Sequence, residues 1–172
     1  MENISVDEAI RLIKGTSKYD HALLASLIMA EMATELGEDM HLWKIVGLLH
    51  DLDYDEVKGD MERHGVVAAE KLRGKLPEDA IYAIKAHDYR TGFKPKSRLD
   101  KALIAADSAA ILIEKLRKTP RKKMSIKTLQ TELVKSSKTQ PWLNENILKC
   151  VEIGLTLKRF FQLCLKAIKQ SN

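Results

Sequence analysis

Four histidines and two aspartates recur along this 172-residue chain in an order that could hold divalent metal: His21, the doublet His50-Asp51, His64, His87 and Asp107. Mixed imidazole and carboxylate donors suit Mn, Fe, Zn or Ni better than Ca, which prefers shells made only of oxygen. A structural cysteine–zinc site is excluded, because no Cys-x-x-Cys pair occurs. Taken singly, most of these residues have an ordinary explanation. His21 could be a polar residue opening a helix, and His50 a core histidine closing the apolar run Ile45-Val-Gly-Leu-Leu49. Asp107 is harder to explain. It lies in Ala102-Leu-Ile-Ala-Ala-Asp107-Ser-Ala-Ala-Ile-Leu-Ile113, apolar on nearly every helical face. A buried carboxylate without a partner costs several kcal/mol, so a bound cation, a basic side chain or a helix N-terminus must compensate it. His41, the fifth histidine, sits beside polar residues and is left out of the set.

The elements that must position these groups read as helices. Ser5-Val-Asp-Glu8 is a capping box for a helix over 6–14. Leu23, Leu24, Leu27, Ile28, Met32 and Leu36 form a helical stripe over 19–36, with Gly37 placed to end it. A third helix is expected over 39–50, a polar, acidic loop over 51–60, a fourth helix over 62–72 and a fifth over 77–87, opened by Pro77. A loop with Gly92 and Pro95 leads to Ser97, a cap for a long apolar helix through 116. Pro120 breaks the pattern, and helices over 125–135 and 141–169 follow. Strand signals and fixed-period repeats are missing. The expectation is an all-α protein folded as one domain over 1–172.

Composition narrows the class. Apolar residues make up 45% and charged residues 31%, as in soluble globular proteins. No apolar run is long enough for a membrane span, and the acidic, amphipathic N-terminus is not a secretory signal. Cys150 and Cys164, fourteen residues apart on one expected helix, would lie about 21 Å apart along its axis. That is too far for a disulfide and fits thiols of a reducing, cytoplasmic protein. The net charge of +5 is unevenly placed. The segment 115–127 carries seven basic residues and no acid, and reads as a solvated linker or a patch for an acidic partner. It contains no aromatic residue, which argues against nucleic acid as a partner. The sequence sets no oligomeric state.

The ordered set resembles the HD superfamily of metal-dependent phosphohydrolases over about 19–113. The resemblance is carried by LLHD at 48–51, RHG at 63–65, KAHD at 85–88 and ALIAADS at 102–108. It implies a helical bundle with its core at about 19–116 and a helical extension over about 117–172. It also implies that His21, His50, Asp51 and Asp107 hold one divalent ion, and that His64 and His87 hold a second bridged by Asp51. Mn, Fe, Zn, Ni and Mg are the candidate ions. Family members of one type carry a lysine three residues after the aspartate; here Tyr54 takes that place, leaving Lys58 or another base to meet phosphate. No GYP signature follows, so cyclic-di-GMP hydrolysis is not implied.

The chemistry expected is attack of metal-activated water on a small phosphorylated substrate, a nucleotide by preference. Arg90, three residues after His87, is the candidate for a bidentate phosphate contact, and Asp51 and Asp88 complete the catalytic set. Asp53, Asp55 and Asp88 are candidates for orienting the histidines or moving a proton. Two other readings use the same residues: a diiron oxygenase, and a non-catalytic module that interacts through 115–127.

Overall fold

The chain builds helices wherever its caps and apolar periods coincide. The computed structural model describes residues 4–119 and 123–171, and no strand occurs among them. α1 (Val6–Ile13) starts at the Ser5/Glu8 capping box, and α2 (Tyr19–Leu36) ends at Gly37 with φ of 70°. α3 (Met40–Leu49) is capped by Asp39, which accepts from the Leu42 N–H, and ends at His50. The short α4 (Tyr54–Val57) and α5 (Val66–Leu72) follow, then α6 (Glu78–Ala86), which ends at His87. A 3₁₀ turn (Tyr89–Thr91) leads to α7 (Arg98–Arg117), which opens with a second capping box, Ser97/Asp100. α8 (Ile126–Ser137), α9 (Pro141–Ile147), α10 (Lys149–Glu152) and α11 (Leu157–Gln170) form the rest. The all-α expectation holds.

α7 is the axle. Leu103, Ala105, Ala106, Ala109, Ala110, Leu112 and Ile113 are buried, and α2, α3, α6, α8, α9 and α10 all pack against it. The alanines shorten the distance at which neighbouring helices meet it. α2 and α3 approach even more closely. A Cβ on Gly47 would lie 2.7 Å from the Ser26 Cα, so only glycine lets the two backbones meet there. α11 closes over α2 with Phe160 and Phe161 fully buried, each contributing roughly 1.5–3 kcal/mol. The basic segment is partly tied down: Lys115 pairs with Glu132 and donates to Ser136 of α8, and Arg117 donates to Ser171. Pro120, Arg121 and Lys122 lie outside the described residues.

Three expectations are corrected. The 51–60 segment is not all loop: it contains α4, whose Val57 is buried and which stops at Lys58 and Gly59, both with positive φ. The expected 62–72 helix starts only at Val66, because Gly65 sits at φ of 80° and cannot be helical. The expected 141–169 helix is broken at Gly154, with φ of 100°, and restarts where Thr156 accepts from the Arg159 N–H. Cys150 and Cys164 are therefore on different helices, and the 21 Å separation does not apply. Both are free and buried. Burial pushes the Cys150 thiol up to about 12, and burial with the nearby Cys150 raises that of Cys164.

Candidate metal centre

The six residues meet. His21 comes from the first turn of α2, His50 and His87 from the C-caps of α3 and α6, Asp51 from the residue after α3, His64 from just before α5, and Asp107 from the middle of α7. Asp51 is the hub. Its Oδ1 lies 2.9 Å from His64 Nε2, 3.5 Å from His50 Nε2 and 3.6 Å from His87 Nε2, and its Oδ2 lies 3.7 Å from His21 Nε2. Asp107 Oδ1 is 2.9 Å from His21 Nε2 and 3.7 Å from His50 Nε2. Two groups of donors are compact enough to share an ion: His21, His50 and Asp107, and His50, Asp51 and His87, each with donor atoms within 4.8 Å of one another.

Every imidazole is held by its outer nitrogen. His50 Nδ1 donates to the Gly47 carbonyl at 2.8 Å, and His87 Nδ1 to the Ile84 carbonyl at 2.6 Å. Each histidine thus uses a carbonyl that the last turn of its own helix leaves unpaired. His64 Nδ1 donates to Asp53 at 2.9 Å, and His21 Nδ1 to Glu114 at 3.1 Å. With all four Nδ1 atoms so engaged, the Nε2 atoms point inward, the orientation that a metal-ligating histidine needs. The donor set passes a direct test. His50 Nε2 is fully buried and has no hydrogen-bond partner among the described residues, an expense that a cation would remove. His64 and His87 likewise bring two Nε2 atoms within 3.1 Å of each other.

Burial alone would lower the His21 pKa, but hydrogen bonds to Asp107 and Glu114, with the charges of Asp107 and Asp51, raise it to about 10. Burial is likewise overcome at His64, which Asp51 and Asp53 raise to about 9. His87 is raised by Asp51 against the same penalty. Asp51 is held well below the usual carboxylate range: burial opposes this, and the neighbouring His50, His64 and His87 imidazoles prevail. Asp107 is lowered by His21 and His50 in the same way.

The supporting residues are specific. Asp53 is fully buried and accepts three hydrogen bonds, from His64 Nδ1, from the Gly65 N–H at 2.7 Å and from the Ala68 N–H at 2.9 Å. It orients His64 and anchors the start of α5. Gly65 has no alternative there, since a Cβ would lie 2.4 Å from the Ile84 carbonyl oxygen and 3.0 Å from the His87 ring. Asp55, by contrast, is exposed and bonds Ser17 away from the cluster. Asp88 and Arg90 pair with each other, Nη2 to Oδ2 at 2.5 Å and Nε to Oδ1 at 2.9 Å. The pair borders a cleft of about 180 Å³ that is also lined by His87 and Asp107. Asp107 is less buried than its apolar helix suggests: its side chain is 18% exposed, because it faces this cleft.

Two neighbours escaped the sequence reading. Glu114 lies two turns beyond Asp107 on α7, a spacing of seven that puts both on one face and could have flagged it. Lys18, the N-cap of α2, places Nζ 3.7 Å from Asp51 Oδ2 and 4.0 Å from the centre of the Tyr54 ring. Tyr54, itself edge-on to His64, thus supports a lysine in place of being one. Lys58 is exposed.

This arrangement of helix ends around a His/Asp cluster is that of an HD domain, and the family model for the HD domain matches residues 19–112. The chain belongs to the HD-domain family. It is similar to ribonuclease Y of Desulfotalea psychrophila, 35% identical over 96 residues, which cover 55% of this chain and 18% of that protein. The ribonuclease Y of Chloroflexus aurantiacus is 34% identical over 99 residues, 55% of this chain and 18% of the relative. That of Geobacter sulfurreducens is 38% identical over 95 residues, 52% and 17%. The chain thus spans less than a fifth of the length of these relatives. No solved structure gives a significant match. HD domains bind divalent metals and typically hydrolyse, and no helix among the described residues is long and apolar enough to cross a membrane.

Proposed function

We propose that this chain is a metal-dependent phosphohydrolase that cleaves a phosphoester of a nucleotide, free or at the end of an RNA. The observation that carries the reading is the convergence of four inward Nε2 atoms with Asp51 and Asp107 at the wall of a cleft that also presents Arg90. In this reading His21, His50, Asp51 and Asp107 hold one ion, and His64, His87 and Asp51 a second. Bound there, divalent ions supply Lewis acidity, which acidifies water and draws charge from a phosphoryl group.

The protein's own groups do the rest. Arg90 offers its remaining N–H donors to non-bridging phosphate oxygens, and Asp88 fixes the fork so that little entropy is lost on binding. Burial would raise the Asp88 carboxyl, but Arg90 holds it low; it stays ionised and acts as a positioning residue. Lys18 supplies a second positive charge beside Asp51. Glu114 and Asp53 keep His21 and His64 in the tautomer that leaves Nε2 free. The name of the relatives supports hydrolysis over oxygen activation, and it supports RNA as a source of the nucleotide.

The test combines metal content with turnover. Protein purified without chelator should carry close to two divalent ions per chain, by elemental analysis. His64→Ala should lose chiefly one, and Asp107→Ala should impair the other. Wild type with Mn should release phosphate or a nucleotide from a panel of nucleotides and short RNAs. Equal, negligible metal in all three proteins, or no release from any member of the panel, would sink the proposal.

A further inference from the structure

α9, beyond the stretch that the family model covers, lines the cleft beside His87 and Asp107 through Trp142 and Asn146. The cleft has two lobes. The first, about 180 Å³, joins the polar groups Asp107, Asp88 and Arg90 to an apolar side made by Ile111 and Trp142. The second, about 220 Å³, has Tyr89, Phe93 and Ile104 among its lining residues. His87, Tyr89 and Asn146 line both. Trp142 and Arg90 line the first lobe together, so aromatic surface and phosphate-seeking groups lie within one hollow, and Asn146 stands where it adjoins the second.

We infer that α9 reads the base of the nucleotide, with the Trp142 indole as a stacking face and the Asn146 amide as the hydrogen-bonding group. The inference rests on the phosphoester reading above and adds the element that selects the substrate. Trp142 and Asn146 are four residues apart, one turn of the same helix, and so share a face. Pro141 at the first position of α9 fixes where that face begins. Trp142 is half-buried and packs against the core, so its ring is held rather than loose. A partly exposed indole beside a phosphoryl site does nothing for metal ligation, but it offers the sequence-tolerant π surface that bases stack on. The amide is also held. Asn146 Nδ2 donates to Ser108 Oγ at 3.1 Å, which ties it to the residue next to Asp107. Among the described residues this bond leaves one N–H and the carbonyl oxygen of the amide for a ligand, the donor–acceptor pair with which an asparagine reads a base edge.

Binding separates this inference from the proposed hydrolysis. Titration calorimetry on the full chain in chelator, without turnover, should show AMP binding on the order of tenfold more tightly than ribose 5-phosphate, the gain of one stacked base. Trp142→Leu should erase that ratio and Trp142→Phe should retain most of it. Asn146→Ala should flatten the differences among AMP, GMP, CMP and UMP while leaving ribose 5-phosphate binding unchanged. Equal affinity for AMP and ribose 5-phosphate in wild type, or a ratio that survives Trp142→Leu, would overturn the inference. A base-dependent ratio in a protein that hydrolyses nothing would refute the hydrolase reading and leave α9 as the base reader.

Discussion

Asp53→Asn tests the logic of the centre most sharply, because it should spare the fold and still damage metal binding. The asparagine carbonyl can take the place of Oδ2 and keep the Gly65 and Ala68 N–H groups satisfied. Its NH₂ then faces His64 Nδ1, where Oδ1 accepted before. Two donors cannot face each other, so the ring must move its proton to Nε2. There it can still donate to Asp51, 2.9 Å away, but it no longer offers a lone pair to a cation. Exchanging charge-assisted for neutral hydrogen bonds costs the metal-free protein about 1 kcal/mol, or roughly 2–4 °C in Tm for a chain of this size. Loss of the orienting carboxylate should weaken metal binding about 10–100-fold. One effect opposes this. Without Asp53 the His64 pKa drops from about 9, so a proton is more easily displaced. That relief fades as pH approaches 9, and the deficit in affinity should widen from pH 6.5 to 8.5. Calorimetric titration of stripped protein with Mn, beside thermal melts, reads both. Wild-type affinity in a correctly folded Asp53→Asn protein would refute the tautomer argument. Asp53→Ala, which strands three buried donors, should by contrast lose about 3–6 kcal/mol of stability.

Further outcomes follow from the same geometry. Gly65→Ala combines a disfavoured φ, about 1–2 kcal/mol, with overpacking of about 1–3 kcal/mol against Ile84 and His87; thermal denaturation should show Tm lower by roughly 5–20 °C. In metal-free protein, His21 and His64 titrate near 10 and 9, above their ordinary 6.5. Their stabilisation is complete below pH 6.5 and is lost as pH rises through 9 and 10, so urea midpoints in chelator should fall across that window. Loading with Mn should abolish the fall, and a flat chelator profile would contradict the shifts. Metal binding at pH 7.5 must expel these protons, so titrations in buffers of different ionisation enthalpy should report close to two released per chain. Lys18→Met should leave metal content unchanged and lower kcat/KM for the phosphoester on the order of tenfold, the loss of one well-placed charge.

Much of the site was legible in the sequence because its residues occupy helix ends, where caps and breakers announce themselves. Gly37 and Pro77 set the frames that put His50 and His87 at C-termini, Ser97 opens the helix that carries Asp107, and the apolar setting of Asp107 marked it as a residue in need of a partner. What stayed hidden depends on tertiary contact. That α5 begins at Val66 follows from a bond between Gly65 and Asp53, twelve residues apart, which no local period encodes. α4 is stabilised by burying Val57, and its acidic sequence disguised it. The break at Gly154 was visible as a glycine followed by a threonine cap, but the apolar residues on both sides masked it. Lys18 reaches Asp51 across a gap of 33 positions, and Trp142 and Asn146 reach the cleft from an extension in which no motif pointed to them.

The contacts of that extension bear on how the chain can be cut. α11 lies along α2, the helix that carries His21, while α9 and α10 lie along α7, the helix that carries Asp107. Phe160, Phe161, Leu143 and Ile147 belong to the same buried core as residues of both. Helices on both sides of residue 112, where the HD family model ends, are consequently packed against one another. A fragment trimmed there would bare the backs of the two helices whose spacing sets the distance between a histidine and an aspartate 86 positions apart. The C-terminal helices are the brace that keeps the His/Asp centre in register.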